Sequence, residues 1–270
     1  MTSPDRPATT RRIALGIEYD GSAYNGWQTQ LDPHLATVQE TLEAALSRVA
    51  DQRVTVLCAG RTDAGVHATG QVVHFETSAE RPDKAWVHGV NSNLPPTIAV
   101  RWSQPVSAEF HARFSAYSRR YRYLIANSKV RPAVGYRFLT HHPYLLEEGL
   151  MHEAGQLLLG ENDFSSFRAA GCQSRTAMRN VTELTVSRKG DHVCVEIEAN
   201  AFLLHMVRNI VGTLIQVGKG EMPVAWAGEL LRLRDRTRAA PTAPPQGLCL
   251  VAVRYPQHFG LPTTFANSLF

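Results

Sequence analysis

Only four cysteines occur in the 270 residues, Cys58, Cys172, Cys194 and Cys249. No two form a C-x-x-C pair, and none has a histidine at zinc spacing, so neither a disulfide framework nor a zinc site organises the chain. They read as reduced packing residues, which fits the cytoplasm. No apolar run approaches the ~18 residues of a membrane-spanning helix. The opening MTSPDRPATTRR lacks the apolar core of a secretory signal. Residues 1–11 are therefore expected to be a short flexible lead-in, with no export. Charge of one sign is scarce too. Lys+Arg number 28 and Asp+Glu 24, a net +4 that is too small by itself to diagnose a nucleic-acid partner. Missing as well are a P-loop, a dinucleotide fingerprint, a G-x-S-x-G elbow and a zinc-deaminase signature. Nucleotide-driven, redox and metal-dependent chemistry lose support, and no cofactor or metal is expected. The eleven histidines add no ligand pattern, neither His141 with His142 nor His67 with His74, and read as structural or solvent-facing.

What is present is a globular composition, 44% apolar and 19% charged, in a chain long enough for one large domain or two ordinary ones. Ile13, Leu15, Ile17 and Tyr19 alternate with Ala14, Gly16 and Glu18, the period of a half-buried strand. Thr37-Val38-Gln39-Glu40 fits a capping box, and Val38, Leu42, Ala45, Leu46 and Val49 follow at helical spacing. Val54, Val56 and Cys58 return to alternation, and Gln71 to Phe75 is extended again. NSNLPPTIAV is a turn and a short strand. The Pro105-Val106-Ser107 region is a plausible seam, giving halves at 12–108 and 109–270. Beyond it, Arg119, Tyr121, Tyr123 and Ile125 share one strand face. A helix is expected from about Glu147 to Leu159, then paired strands around Lys189-Gly190-Asp191. Asn200 would cap a long helix ending at Gly218, and Pro223 would open another. GLCLVAVRY is a last strand, reached through a proline-rich loop at 237–247. Without regular βαβ alternation this is α+β with mixed or antiparallel sheets.

Arginine clusters at Arg113, Arg119, Arg120 and Arg122, at Arg131 and Arg137, and again from Arg232 to Arg238, as expected where phosphates are gripped. The stretch CAGRTDAGVHATGQVVHF places one carboxylate, Asp63, in a glycine-punctuated loop between strands. Read alone it is an Asx turn or a presented functional acid. Arg208 bears on the choice. It interrupts an apolar stripe of Leu204, Val211 and Ile215, so it either snorkels to solvent or pairs with a carboxylate. Paired with Asp63, it would keep that acid ionised and aim it at a substrate carbon. Tyr121 is either a core aromatic or, on an exposed face beside basic residues, a platform for an unpaired base. Tyr123 fits the core.

EYDGSAYNGWQTQ, AGRTDAGVHATGQVVHF, FHARFSA, RRYRY, ENDFSSF, NAFLLHMVRNIVG and GLCLVAV, in this order and spacing, together resemble the tRNA pseudouridine synthase A family. The resemblance runs from about Ile13 to Tyr255. It implies a pseudouridine synthase fold of two similar α+β halves, with helices packed on one face of each sheet and a basic cleft between the halves. It also implies a cofactor-free homodimer that converts uridine to pseudouridine at positions 38, 39 and 40 of the tRNA anticodon arm. By resemblance, Asp63 is catalytic, Tyr121 contacts the target base, Arg208 pairs with Asp63 and Leu248 lines the pocket. Arg61 is associated with flipping the uridine. Phe110, His111, Ala112, Arg113 and Phe114, then Gly171, Cys172, Gln173, Ser174 and Arg175, and also Arg81, fall where the family touches tRNA. The segment 28–39 departs slightly from the family in length, and 134–146 carries no motif that aligns.

Overall fold

The computed structural model describes residues 10–30, 32 and 35–262. Residues 1–9 of the expected lead-in and part of the 28–39 segment lie outside the described residues, while Arg11 already belongs to the first strand. The elements in chain order are β1 (Arg11–Tyr19), α1 (Val38–Ala50), β2 (Leu57–Cys58), β3 (His67–Thr77), β4 (Ile98–Val106), β5 (Ser118–Asn127), β6 (Thr140–His142), α2 (Glu148–Gln156), β7 (Gly160–Asp163), β8 (Met178–Lys189), β9 (His192–Ala199), α3 (Met206–Gly218), α4 (Trp226–Leu233) and β10 (Leu248–Arg254). None of the described helices is long and apolar enough to cross a membrane.

The α+β class holds, but the expected two sheets are one. Among the described residues ten strands form a single mixed sheet in the order β4-β1-β3-β10-β5-β9-β8-β7, with β2 on β3 and β6 on β5. The join is β10, which runs parallel to β3 and antiparallel to β5. Its apolar run Leu248-Cys249-Leu250 is buried throughout, as a central strand covered on both faces requires. β1 shows the same correction on a smaller scale. Residues 13–17 are buried on both faces rather than half-buried. Trp102 stands opposite Gly16, and His74, opposite Ala14, is packed by Phe110 at 5.9 Å.

One half of the capping box forms as spaced: the Thr37 hydroxyl accepts from the Glu40 amide at 3.3 Å, while the Glu40 carboxylate accepts from that hydroxyl (3.2 Å) rather than from the Thr37 amide, and α1 buries Val38, Leu42, Ala45 and Leu46. Each such leucine contributes about 1.5–3 kcal/mol of burial. β2 is shorter than the alternation of Val54 and Val56 suggests. The Val54 amide donates to Ser47 Oγ (3.0 Å) and the Val56 amide to Glu43 Oε1 (2.9 Å), so this segment is bonded to α1 side chains rather than to a strand. In β5 the alternation is as read, with Arg119, Tyr121, Tyr123 and Ile125 buried. Asn200 does not cap α3. Its Oδ1 accepts from the Asn180 amide (3.0 Å) and the Ala201 amide (2.8 Å), which ties off β8 and β9. The helix begins only at Met206, after His205 takes a left-handed backbone with φ 58°. Leu204 is thus off the helix that carries Arg208. α2 and α4 are likewise shorter than expected. α2 packs on β8 and on α3, α4 packs on both helices, and together they back the second half of the sheet.

Candidate active site

The loop between β2 and β3 is built to a fixed shape. The Ala59 amide donates to Val72 O (2.8 Å), and the Val66 amide donates to Asp63 O (3.1 Å), closing a turn in which Gly65 has φ +76°. The Tyr19 and Thr62 hydroxyls meet at 2.7 Å in the interior, and Gln71 Nε2 donates to Gly60 O at 2.7 Å. The EYDGSAYNGWQTQ segment forms the opposite wall. The Trp27 amide donates to Thr62 O (3.0 Å) and the Gly65 amide to Tyr24 O (3.3 Å). Gly26, with φ +91°, lies so close that a Cβ there would stand 2.9 Å from Thr62 O. Only glycine fits both that conformation and that approach.

This frame leaves the Asp63 side chain 26% exposed and aimed away from the loop's own amides, so it is not an Asx turn. Its Oδ2 lies 3.4 Å from Arg208 Nη1 and 3.5 Å from His205 Nε2. Both partners come from the beginning of α3, where the helix dipole also favours a carboxylate. Arg208 is itself fixed: its Nε donates to Ala243 O (2.7 Å) and its carbonyl accepts from the Ala243 amide (3.1 Å). At 3.4 Å the attraction between the Arg208 and Asp63 charges is about 1 kcal/mol in bulk water and about 5 kcal/mol at an effective dielectric near 20. The guanidinium is 13% exposed, so the pair sits between these limits. His205 escaped sequence reasoning, which set it among the structural histidines. Its three-residue offset from Arg208 is the spacing of neighbours on a helix face, but His205 precedes the helix in a left-handed backbone, so that offset is no guide to its position.

Tyr121 borders the acid from β5 but not on an open sheet face. It is 8% exposed and its ring meets Phe202 edge-on, with centroids 5.0 Å apart. Burial first, and then the Asp63 charge, push its phenol pKa up. A neutral donor therefore stands ready beside the carboxylate. Leu248 and Leu250 lie opposite Tyr123 and Tyr121 in the β10–β5 register, so Leu248 shares their face and is buried. Tyr123 is wholly internal, its hydroxyl bonded to Thr140 Oγ1 (2.6 Å) and Pro244 O (2.8 Å).

The remaining candidates divide by exposure. Arg61, two residues before Asp63, is exposed. In the 110–114 segment, Phe110 and Ala112 are buried anchors. Phe110 packs on Tyr255 and Phe259, and Ala112 donates to His74 Nδ1. His111 Nδ1 accepts from the Arg113 and Phe114 amides, turning those two side chains outward. Phe114 is 75% exposed, with the Arg113 guanidinium 5.5 Å from its ring centre. Gly171 (φ +79°), Gln173 and Arg175 are exposed, whereas Cys172 and Ser174 hold the loop by their carbonyls on Arg168. Arg81 is not part of this constellation. It donates to Val49 O at the C-terminal end of α1, beside the end of β3 remote from the Asp63 loop. Arg120 and Arg122 are not free to grip phosphate either, being paired with Glu183 and Glu198 and with Glu196 respectively. Among the described residues no cluster of three or more His, Cys, Asp or Glu could hold a metal ion.

A family model described as tRNA pseudouridine synthase matches residues 16–115 and 154–256. A protein named tRNA pseudouridine synthase A from Actinobacillus pleuropneumoniae serotype 7 is 60% identical over 259 residues, covering 96% of this chain and 98% of its own. Its namesake from Shewanella loihica is 58% identical with the same coverage. That from Pectobacterium atrosepticum is 60% identical, over 96% of this chain and 91% of its own.

Proposed function

The chain belongs to the tRNA pseudouridine synthase family, an isomerase family, and on that premise we propose that it isomerises uridines 38, 39 and 40 of the tRNA anticodon arm through Asp63. The observation that carries this reading is the single carboxylate of Asp63, held by Arg208 and His205 with the Tyr121 phenol at its side. Isomerisation breaks the bond from uracil N1 to ribose C1′, turns the base, and joins C5 to C1′. The C5 proton is released and N1 takes one up, so neither water nor an electron acceptor is consumed. One carboxylate serves both halves of such a cycle, attacking C1′ or removing the C2′ proton. A hydrolase of the two-acid type needs a second carboxylate, and among the described residues the side chains against Asp63 are instead a guanidinium and an imidazole.

Extruding the uridine costs a few kcal/mol. Arg61, exposed two residues before Asp63, would fill the vacated stack, and the exposed Arg113, Phe114, Gln173 and Arg175 would meet the RNA strand. Tyr121, its ring enclosed, would meet the base with its edge and hydroxyl rather than a full face. The family resemblance also supports a homodimer and a cytoplasmic location.

The test is tritium release from tRNA carrying 5-tritiated uridine. The wild-type protein releases tritium, and Asp63→Asn binds the tRNA but releases none. Activity surviving in Asp63→Asn would falsify the mechanism, and free uracil among the products would make the protein a nucleosidase. Mapping pseudouridines in tRNA from cells lacking the protein checks the three positions.

A further inference from the structure

Arg119 is 8% exposed, yet none of its hydrogen-bond partners is a carboxylate. A guanidinium in the interior is costly unless its N–H groups are satisfied. Here four main-chain carbonyls do so. Nη1 donates to Ala116 O (3.1 Å) and Asn200 O (2.9 Å), and Nη2 to Ala59 O (3.0 Å) and Arg113 O (2.5 Å). These carbonyls belong to three separate stretches of chain. Ala59 leads into the Asp63 loop, Arg113 and Ala116 belong to the turn that presents Phe114, and Asn200 begins the segment that carries His205 and Arg208 to Asp63. Two residues along β5, on the same face, is Tyr121.

We propose that Arg119 is a positioning residue, whose forked guanidinium locks these three segments together and so sets where Asp63 stands relative to Arg208, His205 and Tyr121. The inference rests on the reading of Asp63 as the catalytic group. Arginine suits the task because its planar fork reaches four acceptors in fixed directions. The ammonium of lysine, a single point with three donors, cannot span them. Among the described residues the guanidinium bonds no acid, and it acts as a multivalent donor to backbone.

Arg119→Lys and Arg119→Gln test this against the wild-type protein, with tRNA affinity by filter binding, single-turnover tritium release at saturating tRNA, and melting by calorimetry. At a temperature where each variant is folded, affinity should stay within about threefold while the rate falls about 100-fold, the effect of a misplacement near 1 Å. A rate per folded molecule equal to wild type, or affinity and rate falling together, would overturn the proposal. Should neither variant fold, hydrogen exchange of the wild type decides. The amides of 59–65, 113–117 and 200–205 are expected to open as one unit, and independent opening would overturn it. An inactive wild-type protein would refute the isomerase reading instead, so the two failures are distinct.

Discussion

Replacing Gly26 by alanine should damage the site from a residue that has no side chain of its own and packs against the Asp63 loop. The added Cβ would stand 2.9 Å from Thr62 O, a deficit of 0.5 Å against the 3.4 Å at which ordinary contact begins. Thr62 cannot yield freely, because its hydroxyl is held by Tyr19 at 2.7 Å and its carbonyl by the Trp27 amide at 3.0 Å. The displacement therefore passes to the next residue, Asp63, whose contact with Arg208 is already 3.4 Å long. If 1 Å of misplacement costs about 100-fold, half of that costs about 10-fold in turnover. The unfavourable φ of +91° adds about 1–3 kcal/mol of destabilisation, lowering the melting temperature by about 2–4 °C for each kcal/mol. Single-turnover tritium release measures the first effect and calorimetry the second. Gly149→Ala is the control, since Gly149 lies in α2 with nothing within 4 Å of its Cβ position. Unchanged turnover in Gly26→Ala, despite the lower melting temperature, would show that the wall and the acid are not mechanically coupled.

Arg208→Ala should lower turnover far more than tRNA affinity. Equal losses in both would make Arg208 an RNA ligand or a folding residue. Phe110→Ala and Phe114→Ala should behave oppositely although they are four residues apart. The first should lose about 3–5 kcal/mol of stability, while the second keeps its melting temperature and loses about 1–3 kcal/mol of RNA affinity; wild-type affinity in Phe114→Ala would remove it from the RNA surface. Burial alone would raise the pKa of Glu198, but its bonds from Ser118, Arg120 and Arg254 bring it below the ordinary carboxylate value. A depressed folded-state pKa means stability present above the unfolded value, about 4.3, and lost as pH falls through the folded one. Glu198→Gln should therefore be less stable at neutral pH and lose less stability on acidification from pH 5 to 3. A steeper acid loss in the variant would refute that assignment.

Strand and helix identity was legible wherever a local period ran uninterrupted, as in β1, α1, β5 and the β8–β9 hairpin. It failed where side chains took over backbone bonds. Ser47 and Glu43 hold Val54 and Val56 out of a strand, and Asn200 ties off strands instead of capping α3. The single sheet was not legible, because nothing within GLCLVAV states that its neighbours are β3 and β5. At the site, Arg208 could be paired with Asp63 because a charge interrupting an apolar stripe asks for a partner. His205 could not, since its approach depends on a left-handed backbone that no spacing reveals. The arginine cluster misled for a related reason. Sequence counts charges but does not show that Glu183, Glu196 and Glu198, on neighbouring strands, neutralise Arg120 and Arg122.

The placement of β10 between β3 and β5 bears on how the protein is born. Asp63 and the whole first half leave the ribosome early, yet the strand that welds the sheet is the last of the ten to be synthesised. From Asp63 to Arg254 is 191 residues, a wait of about 10–40 s at 5–20 residues per second. For most of that interval the His67–Ala68 end of β3, beyond its pairing with β2 at Val73 and His74, lacks its partner strand, a short unpaired edge that could template another nascent chain. The early half therefore depends on being shielded, or on prompt delivery of the late strand, before it can hold its acid against Arg208.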